Sequence, residues 1–308
     1  MGDVKKLFIG ANLAHGFEGT EKKIAEMYGL HDLGLLKGVP GGGKNTFMKK
    51  VIEHPLLESE QRIDYMCAGK PSERDGIVYP ELGIGYLDVT PPHMTVGGRG
   101  IDLYSAVIQD KVNLDKLKCL RCVSRRRLNH FHEAQKHIAD AVKSRGAPKE
   151  PDMFQVAYWV EKLDKFFSKR GIQPDKKRVV AFKRSITSQG IVDFADTWET
   201  GARTIKLPCS EEVASLVFRF LHDKYGGHAF LHFLQSSKML EGVHVGNRLI
   251  RQERAFERPI DGEAVQKAAV ELGGAETIMR EELERIYDGA IDFDMVNKLA
   301  DDDLGRWT

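Results

Sequence analysis

Gly38-Val-Pro-Gly-Gly-Gly-Lys-Asn-Thr46 is the stretch on which the reading of the fold turns. It carries the glycines and lysine of a phosphate-binding loop, yet the position straight after Lys44, where such loops place serine or threonine, is Asn45. Upstream, Leu33-Gly-Leu-Leu-Lys37 is an apolar run of strand length. Downstream, Asn45 to His54 has helical spacing, with Phe47, Met48, Val51 and Ile52 on one face and Pro55 as the stop. Strand, glycine loop and helix in that order are the context the motif requires.

The residue types follow from the chemistry. Gly38, Gly41, Gly42 and Gly43 let the backbone take positive φ angles and turn successive N–H groups toward phosphate oxygens, while the helix N-terminus adds partial positive charge. Lys44 supplies a mobile cation. Asn45 offers a longer, neutral amide oxygen where a hydroxyl would bind magnesium, and Thr46 points about 100° further around the helix. The competing reading is a glycine-rich turn with an incidental lysine. The loop from Gly38 to Thr46 is the expected nucleotide site, with Thr46 and Asp88 expected around the metal.

Asp88 ends a second apolar run, Gly83-Ile-Gly-Tyr-Leu-Asp88, as the aspartate of a Walker B strand does. The alternative is an aspartate capping the turn at Thr90-Pro91-Pro92. No glutamate follows Asp88, so the usual general base is missing from its place. Glu81, just before this strand, and His93, just after it, are the candidates to orient a water or a hydroxyl; each is otherwise a loop residue held by backbone contacts.

The whole chain is consistent with a folded protein of about two domains: 308 residues, 42% hydrophobic, 30% charged. Forty-six basic and forty-five acidic residues leave a formal charge of +1, which disfavours a nucleic-acid role and attraction to membranes. The start of the chain lacks a signal-peptide pattern and no apolar run approaches membrane-spanning length, so a cytoplasmic protein is expected. Four cysteines are too sparse for a disulfide framework. Cys119-Leu-Arg-Cys122 with His130 and His132 fits zinc-finger spacing poorly and reads better as packing. The stripe Lys116, Lys118, Arg121 and Arg125-Arg-Arg127 has no interleaved aromatics and reads as a solvated helix face.

A faint internal repeat is readable along the chain; the competing reading is that short apolar strand-loop-helix units resemble one another by chance. Leu7-Phe-Ile, Gly16-Phe, Leu35-Leu-Lys-Gly38, Asn45 to Lys50 and Asp75-Gly-Ile-Val78 face Val180-Ala-Phe182, Gly190-Ile, Thr204-Ile-Lys-Leu207, Ala214 to Arg219 and Glu241-Gly-Val-His244. The glycine loop then corresponds to Pro208-Cys-Ser-Glu-Glu-Val213, which cannot cradle a phosphate, and Gly246-Asn-Arg-Leu-Ile250 lacks the acid of Asp88. Val112 to Lys143 and Glu263 to Leu299 read as helical arms. The polar segment Gln173-Pro-Asp-Lys-Lys-Arg178 is the expected boundary between units 1–172 and 173–308.

These residues resemble a family of uncharacterised bacterial proteins labelled ATPases or nucleotide kinases, which carry two P-loop modules in tandem. The resemblance rests on Phe8-Ile-Gly-Ala-Asn12 with Gly16-Phe17, the loop Lys37 to Lys44, Asp75 to His93, Ser188-Gln-Gly-Ile-Val-Asp193, Glu282-Leu-Glu-Arg-Ile-Tyr287 and Ala290-Ile-Asp-Phe293. It implies an α/β protein in which a three-layer α/β/α P-loop NTPase module is duplicated, each copy with a helical extension, and ATP with Mg2+ as ligands. Asn45 and the altered second loop depart from the family pattern, and both weaken catalysis. The leading expectation is an ATP-binding P-loop NTPase with slow hydrolysis coupled to motion between modules. The alternatives are a small-molecule or nucleotide kinase, and a non-catalytic nucleotide-gated binding protein. A small-molecule or protein partner and self-association stay open.

Overall fold

The computed structural model describes residues 2–307 apart from 40, 91–96, 119, 235 and 255–256. His93 and Cys119 therefore lie outside the described residues. The first half runs β1 (Val4–Phe8), a hairpin of β2 (Gly10–Leu13) and β3 (Gly16–Gly19), α1 (Ile24–Tyr28), β4 (Asp32–Lys37), α2 (Lys44–Ile52), then β5 (Arg62–Met66), β6 (Arg74–Tyr79), β7 (Ile84–Asp88) and β8 (Arg99–Asp102). Three helices follow: α3 (Leu114–Lys118), α4 (Leu120–Ser144) and α5 (Met153–Lys169).

The second half repeats the order without counterparts of β8 and α3. It has β9 (Arg178–Ala181), a hairpin of β10 (Arg184–Thr187) and β11 (Gly190–Asp193), α6 (Ala195–Glu199), β12 (Arg203–Leu207) and α7 (Glu211–Tyr225). Then come β13 (Gly227–His232), β14 (Ser236–Val245) and β15 (Arg248–Gln252), with α8 (Gly262–Tyr287) and α9 (Phe293–Leu304) closing the chain. Among the described residues no helix is long and apolar enough to cross a membrane.

The protein is mixed α/β. One sheet is ordered β1-β5-β6-β7-β4-β8 and the other β12-β15-β14-β13-β9. Each sheet has parallel outer pairs around an antiparallel centre: β1 with β5 and β4 with β7 are parallel, as are β9 with β13 and β12 with β15. The strands β5-β6-β7 and β13-β14-β15 run antiparallel. Their connections are too short for anything else, because a parallel pair needs a crossover of a dozen or more residues.

The halves therefore follow one strand plan. At Gly16 and Gly190, and at Asp75 and Glu241, the repeat read from sequence keeps its register, since the turn glycines close equivalent hairpins and the two acids precede Gly76 and Gly242 in equivalent strands. Elsewhere it slides: Leu36 lies opposite Asp88 as Leu207 lies opposite Gln252, two places from the sequence-based pairing. Where the halves meet, Phe8 bridges antiparallel to Phe182, its N–H donating to the Phe182 carbonyl at 2.7 Å.

The covering of the sheets differs from the three layers expected of each module. Leu7, Val78 and Leu87 of one sheet share a core with Val179, Phe230 and Leu249 of the other, so two sheet faces pack against each other. Helices cover the outer faces. Phe47, Met48 and Val51 of α2 are fully buried against Ile77, Tyr79 and Tyr86, each worth about 1.5–3 kcal/mol of burial. Val213, Val217, Phe218 and Leu221 of α7 do the same against Ala229, Leu231 and Val243.

The last helix of each half crosses to the opposite half. Val156, Leu163 and Phe167 of α5 join the core under α7, while Val296, Ala300 and Leu304 of α9 join the core under α2. The arms α4 and α8 pack antiparallel through Ala134, Ile138 and Ala141 against Ala264, Ala268 and Leu272. The expected division at 172/173 thus falls in a connection of the chain, and the packing runs across it.

Candidate functional site

Gly43, at φ 88°, is the N-cap of α2, and Lys44 is the first helical residue. The helices α5, α7, α8 and α9 start from Asp152, Ser210, Asp261 and Asp292, whose side chains accept from first-turn N–H groups. No side chain caps α2 among the described residues, so its leading N–H groups are left for an anion. Glycine is required at 43 twice over: the φ is left-handed, and a Cβ would come within 2.7 Å of Val296 Cγ2 on α9.

Lys44 is buried and donates to the carbonyls of Gly38 at 3.2 Å and Val39 at 3.0 Å, closing its own loop. Its Nζ lies 3.6 Å from Asp88 Oδ2. Burial draws the Lys44 ammonium below its ordinary pKa, opposed by Asp88 and Asp75; burial likewise pushes the Asp88 carboxyl up, opposed by Lys44 and by hydrogen bonds from Thr90. Both members of the pair are thus under-compensated, and a ligand bringing phosphate and a cation would satisfy each.

Asp75 completes the cluster. Gly76 pairs with Leu87 across antiparallel strands, so Asp75 and Asp88 are cross-strand neighbours on the face that looks toward α2. Asp75 is 6% exposed. Its motif surroundings assign Asp75 no functional role from sequence; the available signal is its repeat partner, Glu241, an acid at the same place in the other sheet.

Asn45 lines the cleft, and its amide is already engaged by the backbone. Its Oδ1 accepts from the backbone N–H of Arg74 at 3.1 Å, which ties the start of α2 to the start of β6. Thr46 lines the cleft in front of the loop, as do Gly41, Gly43 and Asp88. Asp88 Oδ1 also accepts from Thr90 N at 2.7 Å, so the turn-capping reading of this aspartate holds together with its place beside Lys44.

Glu81 is not brought to the site. It sits in the turn between β6 and β7, at the end of β7 remote from Asp88, about 13 Å away along the strand by its rise per residue. Its carboxylate pairs with Lys177 at 2.7 Å and is 70% exposed.

The loop opens into a cleft of about 850 Å³. One wall is the loop with Asp75 and Asp88; the opposite wall is α8, with Glu276, Arg280 and Tyr287, joined by Arg127 of α4 and the β10-β11 turn at Ser188 and Gln189. Arg127 Nη2 lies 3.4 Å from Glu276 Oε1. On α4, His130 pairs with Glu271 at 2.6 Å, and no group of three or more His, Cys, Asp or Glu side chains that would hold a metal occurs among the described residues. A magnesium ion fits Asp75 and Asp88 only with further oxygens from a phosphate, which is the way this cation is commonly held.

The corresponding place in the second half is closed. There Glu211 opens α7 where Lys44 opens α2, Glu241 stands for Asp75 and Gln252 for Asp88, and the loop is three residues long (208–210) rather than six (38–43). Glu211 accepts from Arg145 Nη2 at 2.5 and 2.6 Å and from Arg258 N and Nε at 3.0 and 3.1 Å. Lys183 lies 2.8 Å from Glu241. The void left among these groups is about 20 Å³, room for about one water.

Neither a known protein family, nor a curated protein, nor a solved structure matches the chain. The functional reading therefore rests on the geometry of the cleft.

Proposed function

We propose that the chain is an ATP-binding protein of slow, magnesium-dependent ATP hydrolysis, with its site at the Gly38 to Thr46 loop. The observation that carries this reading is Lys44: a buried cation at the start of an uncapped helix, behind a glycine loop, 3.6 Å from Asp88 and facing an 850 Å³ cleft. Lys44 and the first N–H groups of α2 would take the terminal phosphates, and Asp88 with Asp75 would hold magnesium. The bound metal neutralises charge on the phosphates.

Slow turnover follows from what surrounds the loop. Asn45 is engaged by Arg74 N, and the two acids nearest Lys44 are both assigned to the metal. The repeated strand plan supports a duplicated unit of the tandem P-loop kind, with the second copy retained as scaffold. Because the far wall is α8, ligand binding is coupled to how the two halves sit. The size of the cleft, near the upper end for ligand pockets, favours phosphoryl transfer to a bound acceptor as the second reading.

Calorimetry with ATP, with and without magnesium, followed by phosphate release on the same sample, tests the proposal. Magnesium-dependent binding with measurable release is expected, and Lys44→Ala abolishes both. Binding that survives Lys44→Ala refutes the site; binding without release reduces the protein to a nucleotide-responsive scaffold.

A further inference from the structure

The cleft has two chemically different sides. The loop side is charged, with Lys44, Arg74, Asp75 and Asp88; on the side where α8 gives way to α9, the apolar and aromatic side chains Met279, Leu283, Tyr287 and Phe293 stand among Arg280, Glu284 and Asp288. Phe293 is 49% exposed and Tyr287 is half-buried, so two aromatic rings present open surface inside a concave site. Aromatic surface left open in a cleft is surface that a ligand can cover.

These rings are held in place against the first half. Asn113 N donates to the Ile286 carbonyl at 2.9 Å, Ile108 N to Ala290 at 2.8 Å and Asp292 N to the Ala106 carbonyl at 2.8 Å, while Val107 and Ile291 form an antiparallel bridge. Phe293 stands three residues before Val296, hence on the same helix face, and Val296 packs against Gly43 of the phosphate loop. The aromatic side and the phosphate side are therefore positioned by one rigid junction.

We propose that Tyr287 and Phe293 form the platform on which the heterocyclic base of the nucleotide stacks while its triphosphate lies on the loop. This rests on the reading of the loop as a triphosphate site and adds to it the half of the ligand that the loop does not touch. Met279 and Leu283 supply apolar floor beneath the base. Stacking on aromatic faces tolerates different bases and is worth about 5- to 150-fold in affinity per ring. The nucleotide then bridges the halves, phosphates on the first and base on the helix junction of the second.

The test is calorimetry on the full chain with magnesium, comparing ATP with inorganic tripolyphosphate for the natural protein, Phe293→Ala, Tyr287→Ala and Tyr287→Phe. Each alanine variant is expected to weaken ATP about 5- to 150-fold while tripolyphosphate stays within twofold, and Tyr287→Phe, which keeps the ring, retains ATP affinity. ATP binding unchanged in both alanine variants, or ATP and tripolyphosphate weakened alike, overturns the subsite. Equal affinity of the natural protein for the two ligands also overturns it and leaves the loop reading standing. Binding of neither ligand sinks the loop reading, and the base platform with it.

Discussion

Glu211→Gln removes one charge and almost no volume from the closed site of the second half. Glu211 has only 4% of its side chain exposed and Arg145 only 2%, so the substitution strands a buried guanidinium. Arg258 keeps Glu212 at 3.0 Å. Among the described residues Arg145 keeps the neutral amide oxygen left at 211, the Arg258 carbonyl and His232, and burial holds His232 neutral with a pKa lowered to about 4, so none of these partners offers a counter-charge. Breaking such a pair from one side costs about 3–5 kcal/mol. With a urea slope of about 3 kcal/mol/M the midpoint falls by about 1–1.7 M, followed by the fluorescence of buried Trp198 and by helical circular dichroism. The pH dependence has a definite sign. Burial alone would raise the Glu211 carboxyl, but hydrogen bonds from Arg145 and Arg258 hold it below its usual value. Its contribution is therefore complete above the unfolded pKa of about 4.3 and is lost as pH falls through the lower folded value, so the gap between natural protein and variant closes in acid. Replacing both partners by methionine restores most of the loss. A midpoint shift below about 0.3 M, or a double variant as unstable as the single one, refutes the argument.

The open site gives three further expectations. Gly43→Ala combines a left-handed φ with a clash against Val296 and costs about 2–4 kcal/mol in urea unfolding, whereas Gly41→Ala, at φ 76° in open space, costs about 1 kcal/mol; equal losses would deny the contact between loop and α9. Asn45→Ser gives up the bond from Arg74 N, lowering stability by about 0.5–1 kcal/mol, and puts a hydroxyl after Lys44, so phosphate release rises; an unchanged rate removes Asn45 as the limit on turnover. Asp75→Asn lowers ATP affinity about 10- to 100-fold with magnesium present and leaves metal-free binding unchanged, and an equal effect in both conditions assigns Asp75 to folding instead.

The local units were legible because their signals are local. The strand, glycine loop and helix from Asp32 to Ile52, and a strand ending at Asp88, follow from apolar spacing and punctuation over twenty residues. The repeat was legible where one residue type is forced, at the turn glycines Gly16 and Gly190, and its register slipped where any apolar residue serves. The antiparallel centre of each sheet was written in the short connections between strands, a signal that outweighs the motif in deciding strand direction. The place of Glu81 shows how nearness in sequence misleads: preceding β7 puts it at the start of the strand, while the chemistry sits at the end. Which half an amphipathic helix such as α5 or α9 covers is set by two apolar surfaces competing for it, and neither surface is visible in the helix itself. The proposed base platform was illegible for the same reason, since Tyr287 and Phe293 are brought to the cleft by that crossing.

The exchange of terminal helices explains why one plan yields an open cleft and a sealed ionic core. In both halves the long arm of the opposite half ends at the start of the helix that follows the loop. At the end of α8 stand Tyr287 and Asp288, lining the cleft into which the loop opens; at the end of α4 stands Arg145, plugging the space in front of Glu211. A cation at the helix start with acids on the strands behind it, Lys44 with Asp75 and Asp88, leaves a demand that the proposed phosphate and metal would meet. A carboxylate at that position makes the opposite demand, and the chain meets it internally with Arg145 and Arg258. The sign of one residue at the first helical position, with a loop half as long, thus separates an open cleft from a structural latch while the five strands common to both sheets keep their order.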